Sequence, residues 1–397
     1  MRILNVIVSL DPVNGGGAVE RTFQMSQFLA RTGVECSILT TDLGLTADRI
    51  NAIKKVDVIA LPCFNKRFYL ARFSYSKIKN IISKVDIIHL MSHWTLQNAL
   101  VYFIARRLHK PYVICAAGAL PLYGRSKILK ILYNLFVGKK IVKNAAFCIA
   151  ITPDEVEHFK SYGVDASKIV TIPNGITREN LTMKDDAAFR KKFDIGDSRI
   201  ILFAGRLNYI KGPDLLLRAY CNLKNVLRDY RLVFIGPDEG MLPLLKEITD
   251  ANGVKDRIHF LGYLGGIDKS HAYNASELLV IPSRQEAMSI VVLEAGITGK
   301  PVLLTDRCGF RTVSNINGGK IVSASIEGLQ QGLIELLNDP PQLELMGNNL
   351  RKFVEEHFLW DSLINEYVRL YERILRSEDN IKPRFKRAGF YIACNSF

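Results

Sequence analysis

Short, mostly apolar runs that alternate with helix-like stretches constrain the fold of this chain more than any other feature. In the first half, six such runs have the composition of buried strands: residues 2–10, 36–42, 56–62, 85–91, 111–117 and 147–153. Each is followed by a helical pattern or by polar sequence. Strands without a polar face must be covered on both sides, so this pattern predicts a parallel α/β sheet.

The second half of the chain repeats the pattern. Further strands are predicted at residues 200–207, 231–237, 257–263, 278–283 and 301–306. The last long helical pattern covers residues 361–375. Residues 173–199 open with a Pro-Asn-Gly turn and carry no strand signal, which places a domain linker near their start. A length of 397 residues also fits two domains, since one domain usually holds roughly 100–200 residues.

Positive charge is concentrated in the first half. Residues 1–175 hold 23 Lys and Arg against 11 Asp and Glu, which accounts for +12 of the net charge of +14. Two segments, 66–84 and 124–147, mix cations with apolar residues at helical spacing, as interfacial amphipathic helices do. The other interpretation is that these apolar residues face the core. The charge favours contact with an anionic membrane surface, and no nucleic-acid-binding pattern is visible.

Composition also indicates the cellular compartment in which the protein is expected. No apolar run reaches the roughly 18 residues of a membrane span, and the N-terminal run lacks a signal-peptide cleavage site. Seven cysteines without a Cys-x-x-Cys pair indicate neither a disulfide framework nor a zinc ribbon. We therefore expect a cytoplasmic protein that docks peripherally on the inner face of the plasma membrane.

Two groups of residues at strand ends could bind an anion. Gly15 to Gly17 lie between the first strand and the first helix, where backbone N–H groups are free to meet a ligand. Their spacing is not G-x-G-x-x-G, so a flexible turn is the alternative. Gly205, Arg206 and Lys211 follow a strand of the second half. Two cations in this place suit a phosphate, although plain surface charge is the alternative.

Two glutamates form the most specific pattern. Glu286 follows a strand where a helix would begin, and Glu294 lies on that helix. Carboxylates accept hydrogen bonds from sugar hydroxyls, and the N–H groups of residues 287–289 would face a diphosphate. Two solvated acids would be the ordinary interpretation. The apolar sequence between them weighs against it, because that sequence should be buried.

These motifs, in this order, resemble the retaining glycosyltransferase family 4 (glycosyl transferases group 1). The resemblance rests on AGRLNYIKGPDLLLRAY, FIGPDEG, HFLGYL and PSRQEAMSIVVLEAGITGKPVLLTD, with IPNGI before them and FLWDSLINEYVRLYERIL after them. The N-terminal half resembles the family more loosely, through the glycine loop and VDIIHLMSHW.

The resemblance implies the GT-B fold, in which two Rossmann-like, doubly wound α/β domains face a central cleft. Residues 1–175 would form an acceptor-binding domain and residues 176–360 a domain that binds a nucleotide-sugar donor. Residues 361–397 would form a helix that returns to the N-terminal domain, followed by a basic tail.

It also implies roles for single residues. Arg206 and Lys211 would hold the diphosphate and neutralise the leaving group, and Glu286 would bind the donor sugar; these are the predicted catalytic residues. The further predicted donor contacts are Gly16, Gly17, Gly205, Tyr263, Leu264, Ala287, Met288, Ser289 and, at the ribose, Glu294. No metal or cofactor is expected, because such enzymes use only the nucleotide-diphosphate-sugar as co-substrate.

One stretch departs from the family pattern. Many relatives carry a histidine or an arginine after the PYVI strand, where this chain has Ala116, Ala117 and Gly118. Gly118 is therefore predicted as an acceptor or sugar contact, and His93 as a substitute for the missing side chain. The alternative for His93 is a structural loop histidine.

The function expected from the resemblance is transfer of a sugar, with retained configuration, to a saccharide acceptor. We expect a lipid-linked acceptor, in cell-surface polysaccharide or lipopolysaccharide-type biosynthesis. The alternative is an inactive homologue that binds a nucleotide or a glycan as a partner subunit, and the 116–118 stretch keeps it open. A nucleotide-sugar epimerase is a third possibility, against which the spacing of Glu286 and Glu294 argues.

Overall fold

A computed structural model describes residues 1–122, 126–179, 181 and 185–386, with side chains as far as Ser377. Within these residues, the first half contains the strands β1 (Arg2–Val6), β2 (Glu35–Thr41), β3 (Val56–Leu61), β4 (Cys63–Asn65), β5 (Leu70–Ala71), β6 (Ile87–Met91), β7 (Tyr112–Cys115), β8 (Phe147–Ala150) and β9 (Ile169–Thr171). Seven of them form one parallel sheet in the order β3-β2-β1-β6-β7-β8-β9, whereas β4 and β5 pair as a separate antiparallel hairpin.

Helices connect these strands. They are α1 (Gly16–Arg31), α2 (Ala47–Ala52), α3 (Tyr75–Ser83), α4 (Leu96–Arg107), α5 (Lys127–Tyr133), α6 (Lys139–Lys143) and α7 (Pro153–Ser161). A π-helical turn (Asn134–Gly138) joins α5 to α6, and a 3₁₀ turn (Ala166–Lys168) precedes β9.

The second half builds a sheet of its own from β10 (Arg199–Ala204), β11 (Tyr230–Ile235), β12 (Ile258–Phe260), β13 (Leu278–Ile281), β14 (Val302–Thr305) and β15 (Gly319–Val322). These strands are parallel, in the order β12-β11-β10-β13-β14-β15. The helices are α8 (Asp186–Lys192), α9 (Pro213–Asn222), α10 (Leu242–Ala251), α11 (Gly266–Ala275), α12 (Ile290–Thr298), α13 (Thr312–Asn315), α14 (Ile326–Leu337), α15 (Pro340–His357) and α16 (Trp360–Lys386), with a 3₁₀ turn at Lys255–Arg257.

Both sheets reverse their strand order beside their first strand. β1 lies between β2 and β6, and β10 lies between β11 and β13. In open parallel sheets, a crevice forms at the carboxyl ends of the strands where the order reverses, and ligands bind there. The glycine loop follows β1, and the segment from Gly205 to Gly212 follows β10, so both predicted anion-binding segments lie at these crevices.

The prediction of a doubly wound α/β fold is confirmed. All five residues of β6 and all four of β13 are buried, which is why their sequences lack a polar face. The sequence pattern does not predict β9 and β15. Both are short edge strands in which only Gly319 is buried, so their sequences carry a weaker apolar signal.

The last helix packs against the first domain. The indole of Trp360, at the start of α16, is fully buried and donates to Oε1 of Gln24 over 2.7 Å. Further along α16, the Tyr371 hydroxyl lies 2.8 Å from Nδ1 of His89. The domain boundaries at 175 and 360 stay predictions, and the basic tail from residue 380 onward lies outside the described side chains.

The segment predicted as an interfacial helix is helical from residue 127 to residue 143, as α5, the π-turn and α6. Its first residues, 124 and 125, lie outside the described residues. The other predicted segment, 66–84, forms β5 and α3. None of the described helices combines the length and the apolar character needed to cross a bilayer.

Candidate functional site

A cavity of about 400 Å³ lies between the two domains at the carboxyl ends of both sheets. Residues from α1 and the glycine loop line one wall, and residues of the second domain line the other. The cavity contacts ten of the residues predicted from the sequence: Gly16, Gly17, Gly205, Arg206, Lys211, Tyr263, Leu264, Glu286, Met288 and Glu294. The fold therefore brings together side chains that are up to 278 positions apart in the sequence.

The glycine loop lets the two domains approach each other closely. Gly16 adopts a φ of +68°, and a Cβ atom there would lie 3.8 Å from the guanidinium of Arg206. A Cβ atom at Gly17 would lie 3.4 Å from the side chain of Ile290, at the start of α12. A larger side chain at either glycine would thus fill the space between the loop and the second domain.

The two predicted phosphate-binding cations are each paired with a carboxylate. Nη1 of Arg206 lies 2.8 Å from Oε1 of Glu239, whose other oxygen accepts from Asn208 over 2.6 Å. Nζ of Lys211 lies 2.6 Å from Oε1 of Glu286. A diphosphate that enters this cavity must therefore compete with two carboxylates for the same cations.

Glu286 is held at the junction of two cavities. Its Oε2 accepts from the Ser283 hydroxyl over 3.0 Å, and its backbone bonds to Arg307 and Gly309, over 3.0 Å each. Besides the 400 Å³ cavity, it lines a second cavity of about 190 Å³. The carboxylate can thus reach a ligand that extends from one cavity into the other.

Glu294 is 6% exposed and forms a third ion pair in the same cleft. Its oxygens lie 2.5 Å from Nζ of Lys269 and 2.6 Å from the Tyr273 hydroxyl. Burial alone would lower the pKa of Lys269, but the neighbouring Glu294 carboxylate raises it above its ordinary value. Tyr263 lies at the mouth of the cleft, 44% exposed, where a flat base could stack on its ring.

The second cavity lies where the 116–118 stretch meets the second domain. Gly118 and Ala287 both line it, and a Cβ atom on Gly118 would lie 2.4 Å from the Cβ of Ala287. The N–H of Gly118 donates to Oε1 of Glu155 over 2.6 Å. Burial raises the pKa of Glu155, although the N–H groups of Gly118 and Ile151 partly offset this effect.

His93 does not reach either cavity. It is fully buried, its Nε2 lies 3.0 Å from Oδ1 of Asn134, and the rings of Trp94, Tyr133 and Tyr162 surround it. Burial lowers its pKa to about 4, so the ring is neutral at neutral pH. The structure therefore gives no support to the predicted sugar or acceptor contact, and His93 packs as a structural histidine.

Ser289 is also placed differently from the prediction. It is the fully buried N-cap residue of α12, and its side chain lies outside both cavities. The predicted donor contact of Ser289 is therefore not reached from either cavity. Glu239, Lys269 and Asn174, which are discussed below, are not predicted from the sequence at all.

Family models match both halves of the chain. Residues 15–180 match the model described as Glycosyltransferase Family 4, and residues 185–353 match Glycosyl transferases group 1. The chain is 26% identical to an uncharacterized glycosyltransferase of Methanocaldococcus jannaschii, over 94% of this chain and 98% of that protein. It is also 26% identical to the D-inositol 3-phosphate glycosyltransferase of Gordonia bronchialis, over 92% of this chain and 85% of that protein.

Solved structures of glycosyltransferases share the fold. Anabaena HepE, solved in complex with UDP and glucose, superimposes with a TM-score of 0.78 at 16% identity, covering 94% of this chain and 100% of HepE. Sucrose-phosphate synthase from Thermosynechococcus elongatus gives a TM-score of 0.77 at 20% identity, covering 95% and 100% of the two chains. With two matching family models and these neighbours, the chain belongs to the group 1, family 4 glycosyltransferases, and its two facing domains form the GT-B fold.

Proposed function

We propose that this glycosyltransferase moves a sugar from a nucleoside-diphosphate donor to a saccharide acceptor, with retention of configuration and without a resident metal ion. The observation that carries the proposal is the convergence of Arg206, Lys211 and Glu286 at the interdomain cleft, opposite the glycine loop. UDP and UDP-glucose in complexes of Anabaena HepE support the donor class, since the fold is shared.

The proposed reaction depends on stabilising the negative charge that forms on the leaving diphosphate. As the bond between the sugar C1 and the diphosphate oxygen breaks, negative charge grows on the diphosphate. Arg206 and Lys211 are placed to stabilise that charge, and electrostatic stabilisation of this kind supplies most of the rate acceleration in many enzymes. The acceptor oxygen forms the new bond to C1, and its proton passes to the leaving phosphate oxygen. Glu286 orients the donor sugar through its hydroxyls, and Glu294 binds the ribose.

The acceptor is proposed to occupy the 190 Å³ cavity. Glu286, Gly118 and Ala287 all line this cavity, and Glu286 also lines the larger one. At position 118 a side chain would collide with Ala287, and glycine, with its φ of +82°, allows this close contact between the two domains. A saccharide hydroxyl in this cavity could therefore approach the donor sugar from the side of the N-terminal domain.

Nucleotide binding tests the donor proposal directly. We expect one of UDP, GDP and ADP to raise the melting temperature in the presence of EDTA, since a ligand at 100 times its Kd stabilises a protein by about 2.7 kcal/mol. Adding a divalent metal should not increase the shift. If no nucleoside diphosphate raises the melting temperature, the donor site is refuted and the inactive partner subunit becomes the better proposal.

We also propose that the enzyme docks on an anionic membrane and uses a lipid-linked acceptor, in cell-surface polysaccharide or lipopolysaccharide-type assembly. Among the described residues, 14 of the 22 large apolar side chains that are exposed lie between residues 64 and 136. On α5 and the π-turn, six of them are at least 43% exposed: Ile128, Leu129, Ile131, Leu132, Leu135 and Phe136. These side chains do not face the core.

Both segments contact the same helix or its N-cap. The Tyr133 hydroxyl, at the end of α5, donates to the carbonyl of Thr95, the N-cap of α4. In the other segment, α3 packs against α4. Lysines 127, 139, 140 and 143 are exposed among the apolar residues of this face. Cations beside exposed apolar side chains suit the headgroup region of an anionic leaflet.

Membrane docking predicts a charge-dependent loss of vesicle binding. Changing Lys127, Lys139, Lys140 and Lys143 to Gln should weaken binding to vesicles of equimolar phosphatidylglycerol and phosphatidylcholine by roughly 10²–10³-fold, at about 1 kcal/mol per lysine. Co-sedimentation measures the effect. As a control, the same change at four exposed lysines of the second domain, Lys191, Lys246, Lys255 and Lys352, should leave binding unchanged. Equal binding of both variants would contradict this orientation.

A further inference from the structure

Asn174, in the Pro-Asn-Gly turn between the two sheets, contacts both sides of the cleft. Its Oδ1 accepts a hydrogen bond from Nη1 of Arg21 over 2.7 Å. Its Nδ2 donates to the backbone carbonyl of Met288 over 3.2 Å. The side chain is 5% exposed. One amide thus joins α1, which begins at the glycine loop, to the loop that carries Glu286.

Arg21 is a rigid anchor for this amide. It is 1% exposed, and its Nη2 donates to the carbonyl of Ile172 over 2.8 Å and to the hydroxyl of Tyr367 on α16. Its guanidinium also lies 6.0 Å from the ring centre of Trp360. None of the ion pairs within the described part of the chain includes Arg21. A buried cation of this kind depends on neutral acceptors, and Asn174 supplies one of them.

The loop from Glu286 to Ser289 has few other supports at Met288. Its own domain holds Glu286 through the backbone of Arg307 and Gly309. Three positions of the first domain or the linker approach the loop and the start of α12: Gly118 faces Ala287, Asn174 bonds to Met288, and Gly17 faces Ile290. The two glycine contacts are only van der Waals contacts. Of these three positions, only Asn174 makes directional bonds: its side-chain amide donates to the Met288 carbonyl, and its backbone N–H donates to the Met288 sulfur over 3.4 Å.

We propose that Asn174 is a positioning residue: it fixes the loop of residues 286–289 relative to the glycine loop, with Arg21 as its anchor. The proposal rests on the proposed function of this loop in donor binding. A side-chain amide is suited to the task because it accepts and donates at once. An aspartate in its place would keep the acceptor for Arg21 but would turn a carboxylate oxygen toward the Met288 carbonyl, where no donor remains.

The Asn174→Asp variant separates positioning from stability. Its new ion pair with Arg21 should keep the melting temperature at or above that of the wild type. Loss of the bond to Met288 should loosen the loop, so we expect about tenfold faster amide hydrogen exchange at Glu286, Val292 and Gly309, whose N–H groups are bonded within or beside the loop. Binding of the stabilising nucleoside diphosphate should weaken by about tenfold as well.

Asn5→Asp is the matched control. Asn5 is fully buried in β1 and donates to the hydroxyl of Ser26 over 2.9 Å, within one domain. This variant should lose stability without faster exchange at the 286–289 loop. If the Asp variant at position 174 does not fold, Asn174→Ala gives the same exchange measurement: it removes both side-chain hydrogen bonds without adding charge and keeps the backbone bond to the Met288 sulfur.

The exchange measurement decides the inference independently of the donor. Wild-type exchange rates at Glu286 and Gly309 in either variant of Asn174 would overturn the positioning role. If the wild-type protein binds no nucleoside diphosphate, the proposed function fails. Faster exchange in the variants would even then show that Asn174 holds this loop in place. A fall in melting temperature without faster exchange would show a purely structural asparagine and would overturn the proposal.

Discussion

Changing Glu286 to Gln is expected to lower kcat/KM for sugar transfer by about 10²–10³-fold while leaving the fold intact. A decrease in rate of this size is typical when one preorganised polar contact to a transition state is lost. The amide keeps the shape of the carboxylate and can still accept from Ser283. It cannot provide a negative charge beside the donor sugar, nor can it form the ion pair with Lys211. Transfer is measured as release of the nucleoside diphosphate from the donor sugar.

Nucleotide affinity distinguishes the sugar role of Glu286 from a phosphate role. Without its carboxylate partner, Lys211 is free to bind the diphosphate, so the Kd for the nucleoside diphosphate should stay unchanged or fall. The control is Glu277→Gln, which removes a carboxylate from a surface pair with Arg199 on the same domain, at 3.2 Å. This control should retain full activity. If Glu286→Gln also retained full activity, Glu286 would not be part of the site.

The fold could be predicted because it rests on local patterns. A central strand such as β13 is buried on both faces, so each of its residues is apolar and the run stands out in the sequence. The edge strands β9 and β15 give a weaker signal and are missed, whereas the pattern does predict β3 and β12 at the opposite edges. The linker position is visible because a Pro-Asn-Gly turn interrupts the pattern.

Most of the candidate site could be predicted as a set of residues, but its internal pairing could not. The family motifs place Arg206, Lys211 and Glu286 at strand ends, and the structure brings them to one cleft. That Glu239 pairs with Arg206, or Lys269 with Glu294, depends on how neighbouring loops lie across the sheet. The spacing of residues in the sequence does not predict such contacts, although the motif FIGPDEG contains Glu239.

Two predictions depended on whether a side chain is buried or exposed, and a sequence pattern does not distinguish the two cases. His93 follows β6 beside the cleft, yet its side chain packs among three aromatic rings. Ile128 and Phe136 have the spacing of a core-facing helix, yet they are exposed. An apolar stripe on a helix reports only that one face avoids water, not whether a domain core or another surface covers it.

Replacing both Arg206 and Lys211 by Ala is expected to weaken binding of the nucleoside diphosphate by about 10²–10³-fold. Hydrogen bonds to charged groups contribute about 1.5–3 kcal/mol each, which would allow a larger loss for two cations. The loss is reduced because each cation is already paired in the free protein, with Glu239 and Glu286. The diphosphate replaces these carboxylates, so only the difference between the two partners appears in the measured affinity. Calorimetric titration at two salt concentrations measures it.

The same competition gives a prediction of opposite sign for Glu239. Changing Glu239 to Gln releases Arg206 from its carboxylate without touching either cation, so nucleoside diphosphates should bind more tightly than to the wild type. The control for the double variant is Lys192→Ala, which removes a surface cation paired with Asp268 at 2.8 Å and should leave affinity unchanged. Unchanged affinity in the double variant would refute the phosphate site. Weaker binding in Glu239→Gln would show that Glu239 positions Arg206 for the phosphate and does not compete with it.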